Sequence, residues 1–222
     1  FDITNRRESY LYKVGVDFYL NDKNTFSFYT NQNHYDGGPL GALRIIYPNN
    51  SELNLAQNLN ANFNNINSTY NFAYDRKFEK EGHKIIFEVD YNTFEEEENS
   101  IFNFEGDTEG FTAYRDHVNG SRENIIANVD YENPLSENSK LEVGAEARLS
   151  DTDNDYSTTS DFLNDATYQY KRDIYSFYTT YGQNFEKWSY QVGARLENFS
   201  VDAIYNGEKV FNDDYFNIYP SG

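Results

Sequence analysis

The chain of 222 residues contains no cysteine and no methionine, only four prolines and one tryptophan. Without cysteine, disulfides, zinc-thiolate centres and catalytic thiols are excluded. Cations are scarce as well: 18 Lys and Arg stand against 37 Asp and Glu, for a formal charge of −19. A surface so acidic repels a phosphate backbone, so no nucleic-acid partner is expected. No stretch approaches the ~20 apolar residues of a membrane helix. The first residues, Phe1 to Arg7, lack the basic region and apolar run of a signal peptide. Any membrane contact must therefore be made by strands, because only helices and closed barrels satisfy their backbone in lipid.

What is abundant is aromatic: 21 Tyr and 18 Phe, in a chain whose intervening positions are mostly polar. Aromatics alternating with polar residues suit a two-faced sheet. Tyr10, Tyr12, Val14, Val16, Phe18 and Leu20 alternate with Leu11, Lys13, Gly15, Asp17 and Tyr19. The same period of two returns at Tyr70, Phe72 and Tyr74, and at Ile85, Phe87, Val89 and Tyr91. It is clearest where Leu141, Val143, Ala145, Ala147 and Leu149 face away from Glu142, Gly144, Glu146 and Arg148. Tyr190, Val192, Ala194 and Leu196 stand in the same relation to Gln191, Gly193, Arg195 and Glu197. These alternations outlast the 5–6 residues usual in soluble sheets and reach the roughly 9–11 that a tilted strand needs to cross a bilayer.

Short polar segments at 21–24, 79–83, 133–140 and 184–187 alternate with longer ones at 35–66, 94–122, 150–169 and 200–215, which read as long loops. Short turns on one rim and long loops on the other belong to outer-membrane barrels, periplasmic and extracellular respectively. The fold class expected is all-β, an antiparallel transmembrane β-barrel, partial, with eight meandering strands and a ninth beginning at 216–219. Residues 1–222 then form one barrel segment of a longer polypeptide, in the bacterial outer membrane and against its lipid. A complete eight-stranded barrel would be filled by side chains, and Gly15, Gly144 and Gly193 leave that interior underfilled.

Two stretches carry a family resemblance. Ala127-Asn128-Val129-Asp130-Tyr131-Glu132-Asn133-Pro134-Leu135 leads into Leu141-Glu142-Val143-Gly144-Ala145, and Tyr190-Gln191-Val192-Gly193-Ala194-Arg195-Leu196-Glu197 follows. They resemble the barrel region of TonB-dependent receptors and the related outer-membrane barrel family of Bacteroidetes, as does Phe216 to Ser221. The resemblance covers 68–222. It implies a large barrel, a plug domain, coupling to the TonB system and uptake of a bulky ligand that the sequence does not name. The chain shows no plug segment of its own.

Candidate sites are few. Asp151, Asp153 and Asp155 space their carboxylates like the opening of a calcium loop. The turn glycine is replaced by Tyr156 and the closing glutamate by Phe162, so a solvated acidic loop is the plainer reading. Glu95, Glu96, Glu97 and Glu98 form a like-charge run of the kind that stays in water. The four longer segments together hold most of the negative charge. His34, His83 and His117 show no metal-ligand spacing, and no nucleophile elbow, phosphate loop or dinucleotide fingerprint occurs. Glu142 and Glu146, ~13 Å apart along one strand, exceed the roughly 5–9.5 Å of paired glycosidase carboxylates. No enzyme and no cofactor is expected. Glu142, Glu146, Arg148, Arg195 and Glu197 read instead as lumen lining. The other reading is a barrel or surface adhesin that transports nothing and displays long acidic extracellular loops.

Overall fold

Period-two alternation is realised along the whole chain. A computed structural model describes residues 2–51, 54–106 and 112–222. The strands are β1 (Asp2–Asn21), β2 (Asn24–Ile45), β3 (Leu55–Lys77), β4 (Lys84–Gly106), β5 (Tyr114–Pro134), β6 (Ser139–Thr158), β7 (Ala166–Asn184), β8 (Ser189–Tyr205) and β9 (Glu208–Ser221). All lie in one antiparallel sheet in sequence order, so the fold is an open meander with β1 and β9 at its edges. It is a partial all-β barrel wall.

Register turns the alternation into two continuous surfaces. Phe18, Phe26, Tyr74, Phe87, Val129, Ala145, Phe177, Leu196 and Ile218 form one row across all nine strands. One residue along, on the opposite face, runs Asp17, Ser27, Ala73, Glu88, Asn128, Glu146, Ser176, Glu197 and Asn217. The polar face is the concave one. It holds the buried residues Ala61, Asn71, Ser100, Ser176, Val201 and Ala203, while Val16, Phe28, Phe72, Phe177 and Val192 stand exposed on the other. Rings on the convex face meet across strands, Phe26 against Tyr74 at 4.7 Å and Phe72 against Phe87 at 6.2 Å. Such cross-strand pairs each contribute roughly 0.2–1 kcal/mol.

The apolar band on β6 runs from Leu141 to Leu149, about 26 Å of strand or about 19 Å of height at a 45° tilt. Aromatic pairs extend it at both rims. Phe185 stacks on Trp188 at 4.1 Å and Tyr181 approaches Tyr190 at 6.1 Å near the short turns, and Tyr70 lies 6.2 Å from Tyr91 at the far edge. This is the girdle arrangement of outer-membrane barrels. The exposed area, 15046 Å², exceeds the roughly 10,500 Å² of a compact soluble monomer of 26.0 kDa. The excess follows from a single sheet exposed on both faces and along both edges.

The short turns fall where expected, at 22–23, 78–83, 135–138 and 185–188. Lys23 and Glu79 tie the first two together, and the Lys23 ammonium holds the Glu79 carboxyl below its ordinary range through their hydrogen bond. The long loops do not survive. Most of 35–66, 94–122 and 150–169 is paired strand: β2 runs to Ile45, β3 starts at Leu55, β4 runs to Gly106, β5 starts at Tyr114, and only 159–165 separate β6 from β7. Glu95 to Glu98 lie within β4 opposite Ser121 to Val118, and Asp151 to Asp155 lie within β6 opposite Glu123 to Asn119. Beyond the bilayer both faces are wet. The apolar signal therefore fades while backbone pairing continues, and strands of up to 23 residues outrun the membrane.

The expected loop at 200–215 is also a hairpin. Asn206 (φ 49°) and Gly207 (φ 78°) are both left-handed and form a two-residue turn, the geometry that favours Asn-Gly. The ninth strand accordingly starts at Glu208 rather than at 216.

Candidate functional site

The densest polar constellation lies on the concave face where β5, β6, β7 and β8 run side by side. Register places Glu146 beside Ser176 and Ser176 beside Glu197, with Gly144, Tyr178 and Arg195 in the adjoining row. Alternation alone therefore aims these side chains into one space.

Arg195 is the hub. Its Nη2 donates to Glu146 Oε1 at 2.6 Å and to Ser176 Oγ at 2.7 Å, and its Nε donates to Glu197 Oε2 at 3.2 Å. Arg148 reaches the same Glu146 at 3.0 Å. The Arg195 guanidinium also sits 5.7 Å from the centre of the Tyr178 ring, and the Tyr178 hydroxyl donates to Asp130. Glu146 is the most enclosed of the paired groups, with 16% of its side chain exposed against 30% for Arg195 and 49% for Arg148. The interactions are individually modest in a wet environment, ~0–1 kcal/mol each. Sharing one arginine among β6, β7 and β8 ties these three strands together on the concave face.

Of the five lumen candidates, Glu146, Arg148, Arg195 and Glu197 come together. Glu142 does not. It pairs with Lys140, in a second cluster nearer the short turns where Lys140 approaches Glu132 at 3.7 Å and Lys84 meets Glu132 at 2.9 Å. Sequence reasoning missed Asp130, Ser176 and Tyr178. The signal was available in β7, where Tyr175, Phe177, Thr179 and Tyr181 alternate with Ser176, Tyr178 and Thr180.

Tyr178 also corrects the reading of Gly144 as unfilled space. Its ring lies over Gly144 so closely that any Cβ there would collide with it. The gap is occupied from the neighbouring strand.

The calcium-loop candidates Asp151, Asp153 and Asp155 lie on one exposed face of β6 rather than in a loop, spread over ~13 Å, and Asp153 accepts a hydrogen bond from Gln169 at 2.8 Å. Among the described residues no group of three or more His, Asp or Glu side chains is placed to hold a metal ion. The histidines lie apart: His34 bonds Asn64 at 2.8 Å, His83 bonds Tyr131 at 2.9 Å and stacks on Phe78, and His117 bonds Asn99 at 2.9 Å. Glu142 and Glu146 are engaged by different cations. The inner wall is a set of paired charges suited to holding a polar surface or solute.

Comparison with known proteins agrees with this geometry. The model of the outer membrane protein beta-barrel family matches residues 76–222. No curated protein sequence matches the chain. Among solved structures, the ferric citrate transporter FecA in its unliganded form superposes with a TM-score of 0.50 at 9% identity, over 96% of this chain and 40% of that one. The alcaligin outer membrane receptor FauA from Bordetella pertussis gives 0.46 at 11% identity, over 98% and 39%. BauA, the ferric preacinetobactin receptor of Acinetobacter baumannii, gives 0.43 at 9%, over 98% and 43%. The chain thus spans about two fifths of the length of these structures, and the likeness is one of fold.

Proposed function

The chain belongs to the outer membrane protein beta-barrel family and is part of a bacterial outer-membrane barrel, and from that premise we propose that it forms wall of a TonB-dependent nutrient receptor of the Bacteroidetes type. In this reading residues 1–222 are one barrel segment without catalytic work of their own. A plug domain occupies the lumen, TonB supplies the energy, and the imported ligand enters from the side of the long hairpins. The observation that carries the reading is the Arg195 lattice, which presents fixed, mutually neutralised charge to the concave side. Such a fixed polar set suits contact with a folded polar surface in the lumen.

The test exploits the absence of native cysteine. With a plug in place, a cysteine substituted for Glu146 should react with an impermeant maleimide on intact cells at under about one tenth the rate of a cysteine at Asp153, because Glu146 lies inside and Asp153 on the exposed convex face. Equal rates at both positions mean an open, water-filled lumen and defeat the plug.

Sidedness is checked with the same reagent. Cysteines at Glu97 and Asp153, on hairpins that outrun the membrane, should label from outside the cell, whereas one at Glu137 in the 135–138 turn should label only after the outer membrane is breached. Labelling at Glu137 alone inverts the topology. The competing reading, a surface adhesin, draws on the same projecting acidic hairpins and predicts an unplugged or side-chain-filled interior.

A further inference from the structure

At the far end of the long hairpins the concave wall changes character. Between the tips of β2–β3 and β4–β5 lies a hollow of about 350 Å³ walled by Leu43, Ile45, Leu55, Phe104 and Tyr114, with Phe162 beside it. A hollow lower on the same face is more polar, lined by Arg7, Glu96 and Glu98 among asparagines and the rings of Tyr35, Phe63 and Phe94. The residues 159–165 that close one side are pinned. Thr159 N donates to Arg115 O at 2.9 Å, Arg115 N donates to Thr159 Oγ1 at 2.9 Å, and Thr158 N donates to Asp165 Oδ1 at 2.8 Å. Phe162 is held beside the hollow with 76% of its surface exposed, an apolar ring in water.

We propose that this hollow is a binding subsite for the apolar end of a small amphipathic molecule, an aromatic ring carrying a neutral or cationic polar group. The volume falls in the range of small-molecule sites, which combine an apolar lining with a few polar groups that orient the ligand. Here Gln57, hydrogen-bonded to Tyr114, supplies the polar end. Charge decides the class. Asp116 shares the concave side with Tyr114, and Asp161 and Asp165 lie in the pinned segment. The nearest cations on these strands, Arg44 and Arg115, fall on the alternate face, one residue out of step with Ile45 and Tyr114. An anion entering the mouth meets unopposed carboxylates; a cation does not. The inference rests on the receptor reading for its biological sense, while the binding itself requires neither plug nor TonB.

The experiment places bimane, which indole quenches on contact, on a cysteine at Leu163 in the purified protein and titrates three water-soluble probes that share one ring: indole, tryptamine and indole-3-acetate. Indole and tryptamine should quench with saturation, and indole-3-acetate should need at least about tenfold more. Phe104→Asn should abolish saturation. Phe162→Ala, which touches only an exposed ring, should raise the midpoint severalfold and serves as the second variant should Phe104→Asn not assemble. Linear quenching by all three probes, or saturation indifferent to both substitutions, overturns the site. Equal midpoints for the three probes overturn the charge class. Because cysteine protection at Glu146 is read separately, loss of the subsite and loss of the plugged-barrel reading give different results.

Discussion

Arginine at Val143 lowers the stability of the membrane-inserted protein by about 2–4 kcal/mol, the cost of a cation well inside the bilayer on the lipid face of a barrel, whereas at Val192, beside Tyr181 at the rim, the cost falls to about 0–1 kcal/mol. Val143 lies in a convex row with Tyr131, Thr179 and Ala194, one row from that of Ala145 and Phe177, and Val192 is half exposed on the same face. With no water at that depth to solvate it, the guanidinium must snorkel or drag in a defect. Glu142→Arg, one residue away on the concave face, should cost under ~1 kcal/mol because it disturbs only exposed pairing with Lys140 in a wet environment. Urea titration of the protein refolded into phospholipid vesicles measures each. Equal costs at Val143 and Glu142 would mean that the two faces are not lipid and lumen, and the assignment would fall.

That division into two faces is legible in the sequence alone. Each of the sets Tyr12 to Phe18, Tyr70 to Tyr74, Ile85 to Tyr91, Leu141 to Leu149 and Tyr190 to Leu196 falls on the convex side, because the bilayer imposes an apolar residue at every second place. Where the bilayer ends the constraint ends. The backbone goes on pairing from Glu95 to Phe102 with Ser121 to Tyr114, yet no difference between wet and dry faces remains to write it into the sequence, so these stretches read as loops. Asn206-Gly207 is the exception, a turn with its own chemical signature inside the long polar segment 200–215.

The site divides along the same line. That Glu146, Arg148, Arg195 and Glu197 share the polar face follows from period two within single strands. Which of them touch depends on register between strands, which single-strand pattern does not encode. Register brings Arg195 onto Glu146 across an intervening β7 and sends Glu142 to Lys140 instead. It also brings Tyr178 over Gly144, so a residue that reads alone as missing volume is one half of a packed pair.

Gly144→Val tests that pair and carries the other large expected effect. A branched side chain at 144 occupies the space of the Tyr178 ring, which must leave, taking with it the bond to Asp130 and the face presented to Arg195. Overpacking of this kind costs roughly 1–3 kcal/mol, and the displaced hydroxyl leaves Asp130 short of a donor for about 1 kcal/mol more. Tyr178→Phe keeps the ring and should lose only that last part. The decisive comparison is the double variant. Tyr178→Ala empties the space over residue 144, so valine there should cost at least about 1 kcal/mol less than it does beside tyrosine, a coupling expected only of groups in contact. Vesicle-based urea titration of the four proteins reads the cycle. Strict additivity would show that Tyr178 does not lie on Gly144, and the β6–β7 register that sets the Arg195 lattice would have to be redrawn with it.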